Sequence, residues 1–255
     1  MNGYSENIPK TIAVTGKGGA GKTVLSTLMI KCLVERKNLR ILAVDADSAK
    51  GLPYTLGMKV TKTVSDFRQD IIRYPDEKRR IADLHMGTVI GEMIEPGPGF
   101  DLLVMGRPEA PGCFCTVNDL LRYGIETLSK NYDVTIIDGE AGPEQINRRV
   151  MQHLDALLVV GETSMRSLET ARDIMEVAKS QDIVQKDQMG LVINKYTGEN
   201  DRVEEIIRQM DLPLWGYIPD DENVSRYDAL NRPLLELPAG SPSLSAVSQI
   251  LKHIW

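Results

Sequence analysis

Short apolar runs alternate with longer amphipathic segments along most of this chain of 255 residues. The runs are nearly continuous in apolar side chains, a pattern typical of parallel strands that are covered on both faces. They cover residues 11–15, 40–44, 101–105, 133–137, 156–160, 190–193 and 214–218. Helical patterns lie between them, at residues 24–36, 117–130, 167–181 and 201–210. The alternation predicts an α/β fold with a mostly parallel, doubly wound sheet and helices on both faces.

The chain shows no repeat, low-complexity tract or Pro/Gly/Ser linker that would separate two domains. We therefore expect residues 1–255 to form a single domain, near the upper size limit for one core. Residues 54–96 are charged and helical in pattern, and we interpret them as an elaboration between strands. Residues 241–255 predict a helix with one apolar side. This side could bind a membrane, but the segment has few cations, so we expect it to dock on the core.

Composition narrows the function classes. A hydrophobic content of 42% and a charged content of 26% are ordinary for a soluble globular protein. The formal net charge of -6 argues against a nucleic-acid binder, which needs a basic face. No apolar run approaches the ~20 residues of a membrane span, and the N-terminus does not resemble a signal peptide. Three cysteines without an export signal predict reduced thiols in the cytoplasm.

A glycine-rich stretch, GKGGAGKT at residues 16–23, follows the first predicted strand and precedes a helical pattern. It matches G-x-x-x-x-G-K-[ST], in which glycines let backbone N–H groups converge on phosphate oxygens at a helix N-terminus. Lys22 would reach the β- and γ-phosphates, and the Thr23 hydroxyl would bind Mg²⁺. A tight turn without a ligand is the alternative interpretation.

The additional lysine, Lys17, gives the motif K-G-G-x-G-K-[ST]. In this the sequence resembles the deviant Walker A ATPases, the P-loop NTPase family of MinD, ParA and the nitrogenase iron protein. The resemblance implies a homodimer in which Lys17 reaches across the two-fold axis to the partner's phosphates. There it would add positive charge where negative charge lies in the transition state, as an arginine finger does. The alternative is a solvated loop lysine.

Further landmarks of that family follow in order. In AVDAD, the resemblance makes Asp47 the carboxylate that positions or deprotonates the attacking water, and it places Asp45 nearer the Mg²⁺ shell. In TIIDGEAG, it implies that Asp138 holds Mg²⁺ through water and that Gly142 senses the γ-phosphate, while Glu140 departs from the family pattern and receives no role. Each aspartate could instead cap a helix or turn.

The base site is implied by two later stretches. In VINK, Asn194 resembles the family's adenine-reading amide, and in YIPDDENV residues 219–222 would wall the base. The residues expected to bind ATP or ADP are Gly16, Lys17, Gly18, Gly19, Ala20, Gly21, Lys22, Thr23, Val24, Asp138, Gly142, Asn194, Lys195, Pro219, Asp220 and Asp221; those expected to act in hydrolysis are Lys17, Lys22 and Asp47.

Two of the three cysteines, Cys113 and Cys115, form a C-x-C pair that supplies two of the four ligands of a tetrahedral thiolate site. If the family dimer forms, two chains bring two such pairs together across the axis. The bound metal would be zinc, nickel or an iron–sulfur cluster. A pair of packed thiols is the alternative. Cys32 lies in a helical stretch, where we expect a buried structural thiol.

The segment MGRPEAPGCFCTVNDLLR closely resembles the CooC-type ATPases that mature nickel-containing carbon monoxide dehydrogenase. This implies a dimeric maturation factor, regulated by ATP and metal, that inserts nickel into such a nickel–iron client enzyme without binding nucleic acid or membrane. Two alternatives stay open. One is an ATP-driven reductase with a bridging iron–sulfur cluster, like the nitrogenase iron protein. The other is a spatial organiser of the MinD or ParA kind, which predicts a basic surface or a cationic amphipathic tail.

Overall fold

The strands predicted from the apolar runs pair in one sheet of the computed structural model, which describes residues 11–36, 38–74, 86–107, 114–143, 153–198 and 201–255. The strands are β1 (Thr11–Gly16), β2 (Ile41–Asp45), β3 (Glu95–Pro96), β4 (Asp101–Val104), β5 (Val134–Ala141), β6 (Ala156–Gly161), β7 (Met189–Tyr196) and β8 (Leu214–Pro219). Each of the seven predicted strands is confirmed, with boundaries that shift by a few residues.

The strand order is β3-β4-β2-β5-β1-β6-β7-β8. Neighbours are parallel everywhere except at the β3–β4 edge, which is antiparallel. This confirms the mostly parallel, doubly wound sheet. The two-residue β3 was not predicted, because a Glu-Pro pair carries neither an apolar run nor an alternating pattern.

Helices cover both faces of the sheet. They are α1 (Lys22–Val34), α2 (Gly51–Leu56), α3 (Val64–Arg73), α4 (Met86–Gly91), α5 (Phe114–Leu128), α6 (Met165–Ser180), α7 (Asp201–Gln209), α8 (Glu222–Ala229) and α9 (Pro242–Ile250). Successive strand residues point to opposite faces, so Ala13 joins one apolar core while Ile12 and Val14 join the other. Burial on both faces explains why the strands are apolar throughout rather than alternating.

Parallel pairing aligns the carboxyl ends of the central strands at one edge of the sheet. Asp45 at the end of β2 lies opposite Asp138 on β5, and Gly16 at the end of β1 lies opposite Val160 on β6. Loops that follow these strands therefore meet above the same edge, where open α/β sheets bind ligands. The motifs singled out in the sequence lie in strands of this sheet or follow them along the chain.

The interpretation of residues 54–96 as an elaboration agrees with the part of it that is described. It carries α3, α4 and β3, and it returns the chain to the sheet at β4. Helix α3 begins with a capping box, because Thr63 accepts a hydrogen bond from the Asp66 backbone N–H while the Asp66 carboxylate accepts one from the Thr63 backbone N–H.

The C-terminal helix α9 docks on the core, as the sequence predicts. Its apolar residues and those of the following turn are buried; they are Leu244, Val247, Ile250, Leu251 and Ile254. Helix α9 packs against β8 and α1. In the part of the chain that the structure describes, no helix combines the length and apolar character needed to cross a bilayer.

The docking of α9 predicts unequal effects from the same substitution at two positions. Val247→Asp should lower the free energy of unfolding by about 3 kcal/mol or more, because it places an unpaired carboxylate where Val247 is completely buried. Ser245→Asp is the matched control, since Ser245 is exposed on the same helix. Chemical denaturation of both variants measures the difference. Equal stabilities would show that the apolar side of α9 is not part of the core.

Candidate functional site

The phosphate loop joins β1 to α1 in a conformation that depends on glycine. Gly19 and Gly21 have positive φ angles of 78° and 95°, which residues with a Cβ rarely adopt. A Cβ on Gly16 would lie 2.1 Å from the Val160 carbonyl oxygen, so only glycine fits where β1 meets β6. Helix α1 begins directly after Gly21, and no side chain caps it. Its first N–H groups are therefore available to an anion.

Two lysines flank this loop. Lys22 is buried with 8% of its surface exposed, and its Nζ donates to the Lys17 carbonyl oxygen at 3.4 Å. Lys17 is more exposed, and its Nζ lies 3.8 Å from a carboxylate oxygen of Glu162, just beyond the end of β6. The structure thus places one ammonium group inside the loop and the other at its rim.

A buried carboxyl group faces the start of α1. Asp138 is completely buried, and its Oδ1 accepts a hydrogen bond from the Ser26 hydroxyl at 2.9 Å. Its Oδ2 is also buried and has no hydrogen-bond partner among the described residues. Burial raises the pKa of Asp138 to about 6, against the lowering effects of the Thr23 and Ser26 hydroxyls and the Lys22 ammonium.

This donor set fits a magnesium ion. Mg²⁺ prefers hard oxygen ligands and retains several waters. Oδ2 of Asp138 has no partner among the described residues, and the Thr23 hydroxyl is close enough to the Asp138 carboxyl group to lower its pKa. A cation at that point would also favour the ionised form of Asp138 and so offset the cost of its burial. Ser26 was not singled out in the sequence, although its position one helical turn after Lys22 places it on the same face of α1.

The Asp45 carboxylate at the end of β2 makes two contacts with the backbone. One of its carboxylate oxygens accepts from the Asp47 N–H and the other from the Leu52 N–H, both at 3.0 Å. Burial, and then the charge of Asp138, raise the pKa of Asp45 to about 8. Both oxygens therefore organise the loop that follows β2, where Asp47 accepts from the Ala49 N–H at 2.9 Å. Asp47 lies on this loop at the nucleotide edge and is partly exposed.

Asn194 connects the end of β7 to the phosphate loop. Its Nδ2 donates to the Ala20 carbonyl oxygen at 2.9 Å, and a Cβ on Gly21 would lie 2.1 Å from the same nitrogen. The amide orientation is therefore fixed, and the side-chain oxygen is left as the group that can read a ligand. The following Lys195 is exposed.

The loop after β8 carries the other residues expected at the base. Asp220 is exposed, and its N–H donates to the Tyr196 carbonyl oxygen at 3.4 Å. Asp221 is buried and caps α8 through the Asn223 N–H. Its second oxygen accepts from the Ser241 hydroxyl and from the Ser243 N–H, at the start of α9. The Asp221 carboxylate thus shapes this loop and ties it to the C-terminal helix.

The cysteine prediction falls mostly outside the described residues. Cys113 lies outside them, and for Cys115 only the backbone is described, in the first turn of α5. Among the described residues, no group of three or more His, Cys, Asp or Glu side chains is arranged to hold a metal. Cys32 is a free thiol that is only partly buried and packs against one core, and burial raises its pKa to about 11. It is therefore suited to a structural role, although it is less buried than the sequence predicts.

Comparison with known proteins agrees with this geometry. An uncharacterized ATP-binding protein of Methanocaldococcus jannaschii is 38% identical, over 95% of this chain and 97% of its own. The carbon monoxide dehydrogenase accessory protein CooC of Rhodospirillum rubrum is 28% identical, over 85% of this chain and 86% of its own.

Among solved structures, the septum site-determining protein MinD of Pyrococcus horikoshii, complexed with Mg-ADP, superposes with a TM-score of 0.71. It is 20% identical and is matched over 96% of this chain and 95% of its own. Residues 11–234 match the CobQ/CobB/MinD/ParA nucleotide-binding domain, and the phosphate loop, Asp138 and Asn194 all lie within that range. The chain therefore belongs to the CobQ/CobB/MinD/ParA family of nucleotide-binding proteins.

Proposed function

We propose that this protein hydrolyses ATP with Mg²⁺. The observation that carries the proposal is the buried, unpaired Oδ2 of Asp138, which lies next to a glycine loop and an uncapped helix N-terminus. The loop and α1 would bind the phosphates, and Lys22 would leave the Lys17 carbonyl to contact the β- and γ-phosphates. Asp138 and Thr23 would hold Mg²⁺, which supplies positive charge next to the transferred phosphoryl group.

The roles of the remaining groups follow from their places on the sheet edge. Asp47, on the loop that Asp45 holds in place, would orient the attacking water and accept its proton. Asn194 would present its amide oxygen to the base, since its nitrogen already donates to Ala20. An acceptor at this point pairs with the 6-amino group of adenine and is mismatched with the 6-oxo group of guanine. ATP is therefore the expected substrate.

The wider role that we propose is metal-dependent maturation of a carbon monoxide dehydrogenase-type enzyme in the cytoplasm. Two observations support it: the similarity to CooC along most of both chains, and a C-x-C pair that follows β4 in the sequence. Strand β4 ends at the same edge as the phosphate loop, so the cysteine segment follows a strand that leads to the nucleotide site. Two chains would supply Cys113 and Cys115 twice, which makes four thiolates for one metal.

One observation bears on the spatial-organiser alternative. The apolar side of the C-terminal helix α9 is buried against β8 and α1, so it is not presented to a membrane surface. Lys252, in the turn that follows α9, donates a hydrogen bond to the Gln249 side chain near the end of that helix. The maturation role is therefore favoured over a membrane-bound organiser.

Lys22→Ala should weaken the binding of Mg·ATP by ~10- to 100-fold or more, because the phosphates lose a charge-assisted hydrogen bond from a buried ammonium group. Isothermal titration with ATP measures the change. Lys252→Ala is the matched control, since Lys252 is exposed at the C-terminal end of the chain and should bind ATP normally. Unchanged ATP affinity in Lys22→Ala would refute the phosphate-loop assignment.

Lys17→Gln should bind ATP but turn it over slowly, because the missing charge acts near the transition state. If Lys17 acts across the dimer, mixing Lys17→Gln with Asp47→Ala should restore activity. Half of the dimers would be mixed, and each would contain one intact site, which gives roughly a quarter of the wild-type turnover. Phosphate release from the separate and mixed variants tests this, and a mixture as inactive as its components would show that Lys17 acts within its own chain.

One metal per two chains is expected from the C-x-C pair, and metal should tighten the dimer because both chains contribute ligands. Cys113→Ser and Cys115→Ser should each lose the metal and the metal-induced dimer, whereas Cys32→Ser should keep both. Elemental analysis with sedimentation measures the stoichiometry. Metal retained by the Cys113→Ser, Cys115→Ser double variant would contradict the site, and a coloured, EPR-active cluster would favour the reductase alternative.

A further inference from the structure

Strand β5 contains an irregularity next to the phosphate loop. Val14 of β1 is paired with Asp138 of β5, and the next pair joins Gly16 to Ala141. Strand β5 therefore has one more residue than β1 between these two pairs, which is a β-bulge. Bulges are rare between parallel strands and are found beside functional sites, where they redirect the backbone. This one lies between Asp138 and Gly142, two residues that we expect at the nucleotide.

Thr15 lies on β1 opposite the bulge and is 2% exposed. Its hydroxyl oxygen is 3.3 Å from the Glu140 carbonyl oxygen and 3.3 Å from the Gly142 carbonyl oxygen. A hydroxyl group has a single hydrogen, so it can donate fully to one of these carbonyls at a time. Because both acceptors lie within reach of the buried Thr15 side chain, its hydroxyl can hold the bulged segment to β1 through either carbonyl.

A third contact holds the same segment. The Gly142 N–H donates to the Gly16 carbonyl oxygen at 3.0 Å. In the part of the chain that the structure describes, a Cβ built on Gly142 meets no atom within 4 Å. Its φ of 79° is a conformation for which glycine is suited. The N–H bond to Gly16 and the Thr15 hydroxyl are therefore contacts that hold Gly142 next to β1.

These contacts would compete with a γ-phosphate for Gly142. The Gly142 N–H has one hydrogen, so it cannot donate fully to Gly16 and to a γ-phosphate together. We propose that Thr15 is a positioning residue that holds residues 140–142 on β1 and thereby sets how strongly the protein prefers a nucleoside triphosphate over a diphosphate. The inference rests on the proposed function, in which Gly142 contacts the γ-phosphate. A diphosphate lacks that phosphate and does not require Gly142 to leave Gly16.

The test removes the hydroxyl hydrogen and keeps the shape. Thr15→Val should raise the affinity for a non-hydrolysable ATP analogue relative to ADP by about two- to tenfold. This factor corresponds to the free energy of one hydrogen bond, which in the variant no longer opposes the departure of residues 140–142 from β1. The Gly142 amide should also exchange its hydrogen faster. Thr15→Ser keeps the donor and should show the wild-type ratio and exchange rate. Titration calorimetry with Mg²⁺ measures both affinities, and NMR measures the exchange.

A purely structural role for Thr15 predicts a different result. In that case Thr15→Val would lower the stability, or would weaken both nucleotides equally, and the ratio of affinities would stay at the wild-type value. That outcome would overturn the inference, as would a changed ratio that Thr15→Ser shares. Thr15→Ala gives the same comparison if the valine variant does not fold.

The two proposals fail in distinguishable ways. Wild-type protein that binds neither ADP nor the ATP analogue would contradict the proposed function, and the inference about Thr15 with it. Wild-type protein that binds both, together with a Thr15→Val variant whose ratio and Gly142 exchange are unchanged, would refute the role of Thr15 and leave the ATPase assignment intact.

Discussion

The burial of two carboxyl groups side by side is the constraint on which this site depends. Asp45 and Asp138 are register partners on adjacent central strands, and both are completely buried. A negative charge on either residue disfavours ionisation of its neighbour, and burial disfavours ionisation of both carboxyl groups. Different contacts offset the cost of burying each of the two carboxyl groups. Asp45 accepts two backbone N–H groups from its own loop, while Asp138 accepts from Ser26 and has one oxygen without a partner among the described residues.

The different hydrogen bonds of Asp45 and Asp138 explain how the surrounding loops are arranged. Since Asp45 uses both oxygens on the Asp47 and Leu52 N–H groups, the loop after β2 is shaped by a side chain at the end of the strand. On the other side of β5, the phosphate loop is held by backbone contacts and by Asn194, which reaches it from β7. Three strands thus contribute to one ligand-binding edge, although their residues are far apart in sequence.

The sequence was a good guide wherever the signal is local. Continuous apolar runs predicted the seven longer strands, and GKGGAGKT predicted a glycine loop before a helix, because both depend on neighbouring residues. It was a poor guide to contacts between distant segments. Ser26 on Asp138, Ser241 on Asp221 and Thr15 on the β5 bulge each join residues on separate elements, so no local pattern indicates them.

The bond between Asp221 and the start of α9 has a consequence for biosynthesis. Ser241 and Ser243 leave the ribosome after β8 and every other described strand, so the loop that follows β8 acquires its last hydrogen bonds late. A domain generally folds as one unit. Because α9 also packs against β8 and α1, the loop that follows β8 can take its final shape only once α9 has emerged and docked.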